Sequence, residues 1–447
     1  MQSEIKVFSR PNGEIQRVQL VRLDDWESLD FLHLPYGEGA LMCFSDIYRQ
    51  YLVPACPWIF GNMILFHLPE DLEVVFPFRT EKYGDLADPL TAAAAALQEG
   101  VRIFGGKPRF RDETVKAFYH ALEARNCLRV VSGRLPVTQV IPVGHLPGYM
   151  TQTEPDAQLK VNANFFIMDK FDCATIYDHV GTPLGLCVKN GEVLNPPLFG
   201  REALLVGKDD TVTVTQPDIR EMKIEINGKI YRHGKNAHIY SRPRRFRTPG
   251  GSGVKLVIIG CRVAAVCRGG SVAIPASGFV LCPRDACAVK PGDRVAYLGM
   301  EDVAFGIQVG NSIVRNGEKT EKFISRFYNI RHLEPVPFPP SLYPMDFNRA
   351  RAARIALGAD ANGKPMLLWA EGAGKLSYTP GQDSTGASLR EMADICAESG
   401  MVNAVNLDGG GSAQILLKNQ RMLHISDRNP ADNTDAERPV PLGLVVR

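Results

Sequence analysis

Short runs in which apolar and polar residues alternate, separated by glycine-rich turns, dominate this chain and predict strands. Residues 15–23 (IQRVQLVRL) and 72–78 (LEVVFPF) read as the first two. From residue 158 the runs come in quick succession, at 159–161, 184–188, 211–214, 254–259, 272–274, 279–281 and 294–298, then at 313–315, 354–358 and 366–369. Asn190-Gly191 and Asn227-Gly228 between them are hairpin dipeptides, because the tight turn needs positive φ at both central positions. Helical spacing is confined to three places. Residues 91–97 are alanine-rich, residues 113–125 (ETVKAFYHALEAR) place Val115, Phe118, Tyr119 and Leu122 on one face, and residues 388–398 open on a Ser388/Glu391 capping box and repeat Leu389, Met392, Ala393 and Cys396. Strands and helices do not alternate, so the expected class is α+β: antiparallel-rich mixed sheets with few helices in the C-terminal domain, preceded by a smaller α+β N-terminal domain.

At 447 residues the chain exceeds the size at which one core stops growing. The Pro/Gly-rich stretch 142–149 (PVGHLPGY) is the expected linker, dividing residues 1–150 from 151–447. Gly37, Gly39 and Gly105-Gly106-Lys107 complete no phosphate loop, and residues 1–150 suggest no activity. With 22% charged residues and a net charge of +2, nothing global points to nucleic acid. Residues 51–66 are apolar but short and interrupted by Pro54 and Pro57, so no membrane span is expected. The first residues (MQSEIKVFSRPNGE) lack a basic-then-apolar leader, which predicts a cytoplasmic protein. Ten cysteines without a Cys-x-x-Cys pair read as buried thiols, not structural zinc ligands. Residues 230–247 (IYRHGKNAHIYSRPRRFR) form a local basic cluster, open to three readings: a solvated loop, a nucleic-acid surface or a second contact for an anionic substrate. The low net charge favours the first. The oligomeric state is not legible.

The chemistry concentrates at residues 404–416, AVNLDGGGSAQIL. A short apolar run delivers Asn406 and Asp408 to a strand end, three glycines turn the backbone away, and Ser412 opens a second run. A hairpin in which Asp408 bonds its own backbone is the plain reading. Three glycines exceed what such a turn needs, and Gly409, Gly410 and Gly411 would leave amides to line an anion nest.

The run NLDGGGS resembles the signature of the phosphodiester glycosidase family. Further pieces resemble that family in its own order: residues 161–166 (VNANFF), 181–191 (GTPLGLCVKNG), 201–204 (REAL), 305–317 (FGIQVGNSIVRNG), 354–363 (RIALGADANG) and 384–391 (STGASLRE), about 290 residues in all. Two departures stand out. Glu371-Gly372 replaces the usual Asp-Gly, and NAN replaces NGG at residues 162–164.

The resemblance implies a hydrolase that cuts the sugar C–O bond of a glycosyl-1-phosphodiester, with a small-molecule or glycan phosphodiester as substrate. A phosphate monoester leaves readily because its second pKa is about 6, so the site must chiefly hold one negative charge and stabilise an oxocarbenium-like carbon. On this reading Asp408 is the carboxylate nearest the anomeric carbon, Glu371 the second carboxylate, and Arg354 the planar fork on the phosphate. Asn162, Asn164, Ser384, Asn406 and Ser412 bind sugar hydroxyls or orient the carboxylates, and the Gly409–Gly411 amides supplement Arg354. No cofactor is required, although an oxygen-rich cluster of this kind suits Ca²⁺ or Mg²⁺. Two alternatives stay open: a sugar-phosphate binding protein without turnover, and a biosynthetic enzyme that handles a glycosyl phosphodiester metabolite.

Overall fold

The strands Arg354–Ala359 (RIALGA) and Pro365–Ala370 (PMLLWA) are apolar apart from Arg354 and buried at every position. Such runs lack the polar alternation of a half-exposed strand because both faces of their sheet are covered. The computed structural model describes residues 1–9, 12–34, 61–69, 89–131, 135–143, 148–167, 175, 177–198, 200–242, 244–285, 287–321, 323, 350–374, 378–429 and 431–447. Within it these two strands are the centre of a seven-stranded antiparallel sheet, ordered Gln2–Ser9, Ile15–Arg22, Pro365–Ala370, Arg354–Ala359, Asn403–Asn406, Ser312–Arg315 and Glu318–Lys319.

One face of this sheet, with Val18, Leu20, Ala356, Leu368, Ala370 and Ala404, packs against Met392, Ala393 and Cys396 of the helix Leu389–Glu398. That helix starts where the capping box predicts. Ser388 Oγ accepts the Glu391 N–H at 3.3 Å, and Glu391 Oε2 accepts the Ser388 N–H at 2.8 Å. The opposite face, with Ile355, Leu357, Leu367, Trp369, Val405 and Leu407, packs on two five-stranded antiparallel sheets. The first holds Leu159–Asn162 between Ile415–Leu417 and Leu442–Val446, and the second holds Val303–Gln308 between Cys187–Lys189 and Ala203–Gly207.

A four-stranded sheet, Ala237–Ser241, Gly278–Pro283, Val254–Ile259 and Arg262–Arg268, and a three-stranded one lie outside this core. Residues 61–142 keep their own small sheet, which contains a parallel pair, Gly61–Phe66 with Leu135–Pro142. The helices Pro89–Gly100 and Glu113–Ala124 cover it, through the stripe Val115, Phe118, Tyr119 and Leu122. The protein is therefore mostly sheet, mainly antiparallel, with three α-helices among the described residues.

The strand pairing crosses the expected boundary near residue 150 twice. Ile15–Arg22 pairs with Pro365–Ala370, and Leu29–His33 pairs with Leu442–Val446. Local periodicity finds a strand but not its partner, and here the partners are more than 340 residues away. Residues 272–274, expected as a strand, make a single bridge between Arg247 and Ala273. The expected strand at 72–78 lies outside the described residues. Seven cysteines are described, all free; three are buried and four partly buried.

Candidate active site

Three central strands of the long sheet end at the same edge. Arg354 begins one, Ala370 ends its neighbour and Asn406 ends the other. Past that edge the Leu407 N–H still bonds Ile355 O at 2.8 Å, and the Asp408 N–H bonds Ala163 O at 3.0 Å on the five-stranded sheet. Asp408 is thus the residue at which the chain leaves one sheet for the other.

Asn162 fastens this crossing. Its Nδ2 donates to Asp408 O at 2.9 Å and its Oδ1 accepts the Gln414 N–H at 2.9 Å, so one amide spans the whole glycine turn. Gly410 has φ +60°, which strains residues with a side chain. At Gly411 a Cβ would overlap Asp427 Oδ2 and Arg438 Nη2. Those two side chains form a buried ion pair, with Arg438 Nη2 2.7 Å and Nε 2.9 Å from Asp427 Oδ2.

The Asp408 carboxyl accepts the Gly409 N–H at 2.8 Å and is hydrogen-bonded by the Ser412 side chain, with the Arg438 and Arg354 charges nearby. Burial nevertheless dominates and pushes its pKa up to about 6. Arg354 is buried beside it, but Nε donates to Ala387 O at 3.1 Å and Nη2 to Ala350 O at 2.9 Å. Arg354 therefore brings charge to Asp408 while much of its fork ties the start of the helix to the strand. The glycine turn differs in the same way from an anion nest. The Gly409 amide serves Asp408, and the Gly410 amide donates to Ala353 O at 2.8 Å.

Glu371 sits at the same sheet edge, two strands from the Asp408 turn, which corresponds to about 10 Å between backbones. Its Oε1 accepts the His424 N–H at 2.8 Å and its Oε2 accepts Arg17 Nη1 at 3.1 Å, leaving the side chain 4% exposed. Ser384 Oγ donates to Glu371 O at 2.8 Å and accepts Gln16 Nε2 and the Arg17 N–H, so it braces the backbone. Asn164 Nδ2 donates to the carbonyls of Leu184 and Gln308, away from the turn. Asn406 Nδ2 donates to Leu407 O at 2.6 Å, and its buried Oδ1 has no protein partner.

The structure thus gathers Asp408, Arg354, Ser412, Asn162 and the three glycines around one turn. Glu371 and Ser384 form an adjoining brace, and Asn164 belongs to the scaffold. Arg438, Asp427 and Arg17 were not identified from sequence. Arg17 is one polar position in an alternating strand, and nothing local marks Arg438 as a partner of a turn 27 residues earlier. Among the described residues no group of three or more His, Cys, Asp or Glu side chains is placed to hold a metal ion.

Residues 264–447 match the family model described as phosphodiester glycosidase. The N-acetylglucosamine-1-phosphodiester alpha-N-acetylglucosaminidase of Mus musculus is 36% identical over 81 residues, 18% of this chain and 14% of the relative. The Homo sapiens protein of the same name is 37% identical over 76 residues, 17% and 13% respectively. The matched stretch therefore spans about a seventh of these relatives. Among solved structures, the zebrafish catalytic domain of that enzyme, auto-inhibited by its pro-peptide, aligns with TM-score 0.35 and 13% identity, covering 100% of this chain and 82% of that one. A putative exported protein from Burkholderia pseudomallei aligns with TM-score 0.44 and 15% identity, covering 100% and 96%. The stretch that resembles the phosphodiester glycosidase family, residues 264–447, thus carries Arg354, Glu371, Asp408 and Arg438.

Proposed function

We propose that this protein hydrolyses the sugar C–O bond of a glycosyl-1-phosphodiester, releasing free sugar and a phosphomonoester. The observation that carries the reading is a desolvated carboxylate, Asp408, held at a sheet junction between the charges of Arg354 and Arg438. The substrate brings one negative charge, which the Arg354 guanidinium attracts, the Arg438 charge being balanced by Asp427. The reacting carbon gains positive charge as the bond breaks, and a carboxylate stabilises it more strongly in the transition state than in the ground state. With a pKa of about 6, Asp408 is mostly ionised at neutral pH. Ser412 and the Gly409 amide fix its orientation, and Asn162 holds the turn that carries it.

A second reading is binding without turnover. What favours it is Glu371, whose two carboxylate oxygens are already used by Arg17 and the His424 amide. Glycosidases of ordinary substrates need two available carboxylates, whereas a phosphate leaving group relaxes that need. Incubation with a panel of glycosyl-1-phosphodiesters separates the two. Free reducing sugar plus phosphomonoester supports the hydrolase, and saturable binding without product supports the alternative.

A further inference from the structure

Between Glu225 and Asp285 the chain has 59 residues without one Asp or Glu, yet with eleven Lys and Arg. The other residues carry 40 Lys and Arg against 49 Asp and Glu, so a net charge of +2 conceals a strongly divided molecule. The acid-free stretch supplies every strand of the four-stranded sheet, Ala237–Ser241, Gly278–Pro283, Val254–Ile259 and Arg262–Arg268.

The cations collect at one edge of that sheet. Ala237–Ser241 is an edge strand and carries His238 and Tyr240. Arg284 Nη2 lies 3.5 Å from His238 Nε2, the His238 ring is 6.0 Å from that of His233, and the Arg245 guanidinium is 6.0 Å from the Tyr240 ring centroid. Burial and the nearby Arg220, His238 and Arg244 charges hold His233 below its ordinary pKa. Asp218 faces the cluster and is engaged by Arg220 at 2.5 Å and Arg244 at 3.7 Å, Glu221 acts on Arg220, and the exposed Asp285 follows Arg284. Arg232, Lys235, Arg244, Arg245, Arg247 and Arg284 are all exposed.

We propose that this edge is a docking surface for a linear anionic glycan with phosphodiester links. That a polyanion binds follows from the charge distribution alone; that it is a glycan rests on the function proposed above. Base stacking is disfavoured because Arg245 lies over Tyr240 and Arg242 over Phe246, at 5.0 Å in the latter case. A guanidinium thus covers one face of each ring, and the surface would hold the polymer chiefly by its phosphates.

The test titrates the full chain with phosphomannan, neutral mannan and poly(U) RNA between about 50 and 200 mM salt. About five phosphate contacts would give a log–log slope near −3.5, hence roughly a hundredfold weaker phosphomannan binding over that range. Joint replacement Arg232→Gln, Lys235→Gln, Arg245→Gln and Arg284→Gln should weaken binding at least about tenfold with the thermal midpoint unchanged. A control with Lys107, Lys116, Lys319 and Lys364 changed to Gln should change it less than about threefold. Neutral mannan should not bind. Equal binding by the two quadruple variants, absence of phosphomannan binding, or tighter binding of poly(U) would overturn the proposal. A protein that hydrolysed small glycosyl phosphodiesters yet ignored phosphomannan would refute the surface and leave the reaction standing. Phosphomannan binding without hydrolysis of the small substrates would support the surface and count against the reaction.

Discussion

Replacing Asp408 by Asn should stabilise the protein at neutral pH while removing its turnover. Burial raises the Asp408 carboxyl from 3.8 to about 6 despite two cations and two hydrogen-bond donors. At about 1.36 kcal/mol per pH unit, ionised Asp408 destabilises the folded state by roughly 3 kcal/mol. Folded protein takes up the proton below about pH 6 and unfolded chain only below about pH 4, so the folded state binds more protons in between. Stability therefore falls as pH rises through that window, and the full penalty is present above it. Asn is uncharged throughout and can still accept the Gly409 N–H through Oδ1. In urea unfolding the variant should exceed the wild type by roughly 2–3 kcal/mol near pH 8, with the gap closing toward about pH 4. Asp178, also raised to about 6 by burial, titrates in both proteins and cancels from the difference. A variant less stable near pH 8, or a gap independent of pH, would refute the view that Asp408 is kept as a destabilised carboxylate, the usual trade of stability for activity.

Three further substitutions test the remaining parts. Gly411→Ala should lose at least about 3 kcal/mol in urea unfolding, because its Cβ would displace the buried Asp427–Arg438 pair. Arg354→Lys should raise KM more than it lowers kcat and also lower unfolding stability by about 1–3 kcal/mol, since one ammonium cannot reach both Ala387 O and Ala350 O as the guanidinium does. Glu371→Gln keeps an acceptor for His424 and loses only the charge opposite Arg17, so steady-state assay should show kcat within about tenfold of wild type; a loss of the scale of one preorganised electrostatic group, about a hundredfold, would return Glu371 to a direct catalytic role.

Elements with local signals are legible in the sequence. The Ser388 capping box, the helix stripe Val115–Phe118–Tyr119–Leu122 and the apolar runs at 354 and 366 fall where periodicity puts them. The turn at Asp408 is legible too, because three consecutive glycines between Asp408 and Ser412 exceed what a plain hairpin requires. Long-range pairing is not. Nothing in the strand Gln2–Ser9 or in Arg17 announces that they extend a sheet built from residues after 312. For the same reason sequence assigns Ser384 and Asn164 to substrate, whereas their hydrogen bonds tie distant backbones together. A polar residue that satisfies buried carbonyls and one that awaits a ligand look alike in sequence, and only the partner's position separates them.

The most direct test of the central claim is hydrolysis of a glycosyl-1-phosphodiester in ¹⁸O-labelled water, with wild type and Asp408→Asn side by side. Cleavage at the sugar carbon predicts label in the released sugar and none in the phosphomonoester, with kcat lowered at least about a hundredfold in the variant. Label in the phosphate, or near-full kcat in Asp408→Asn, would contradict the mechanism.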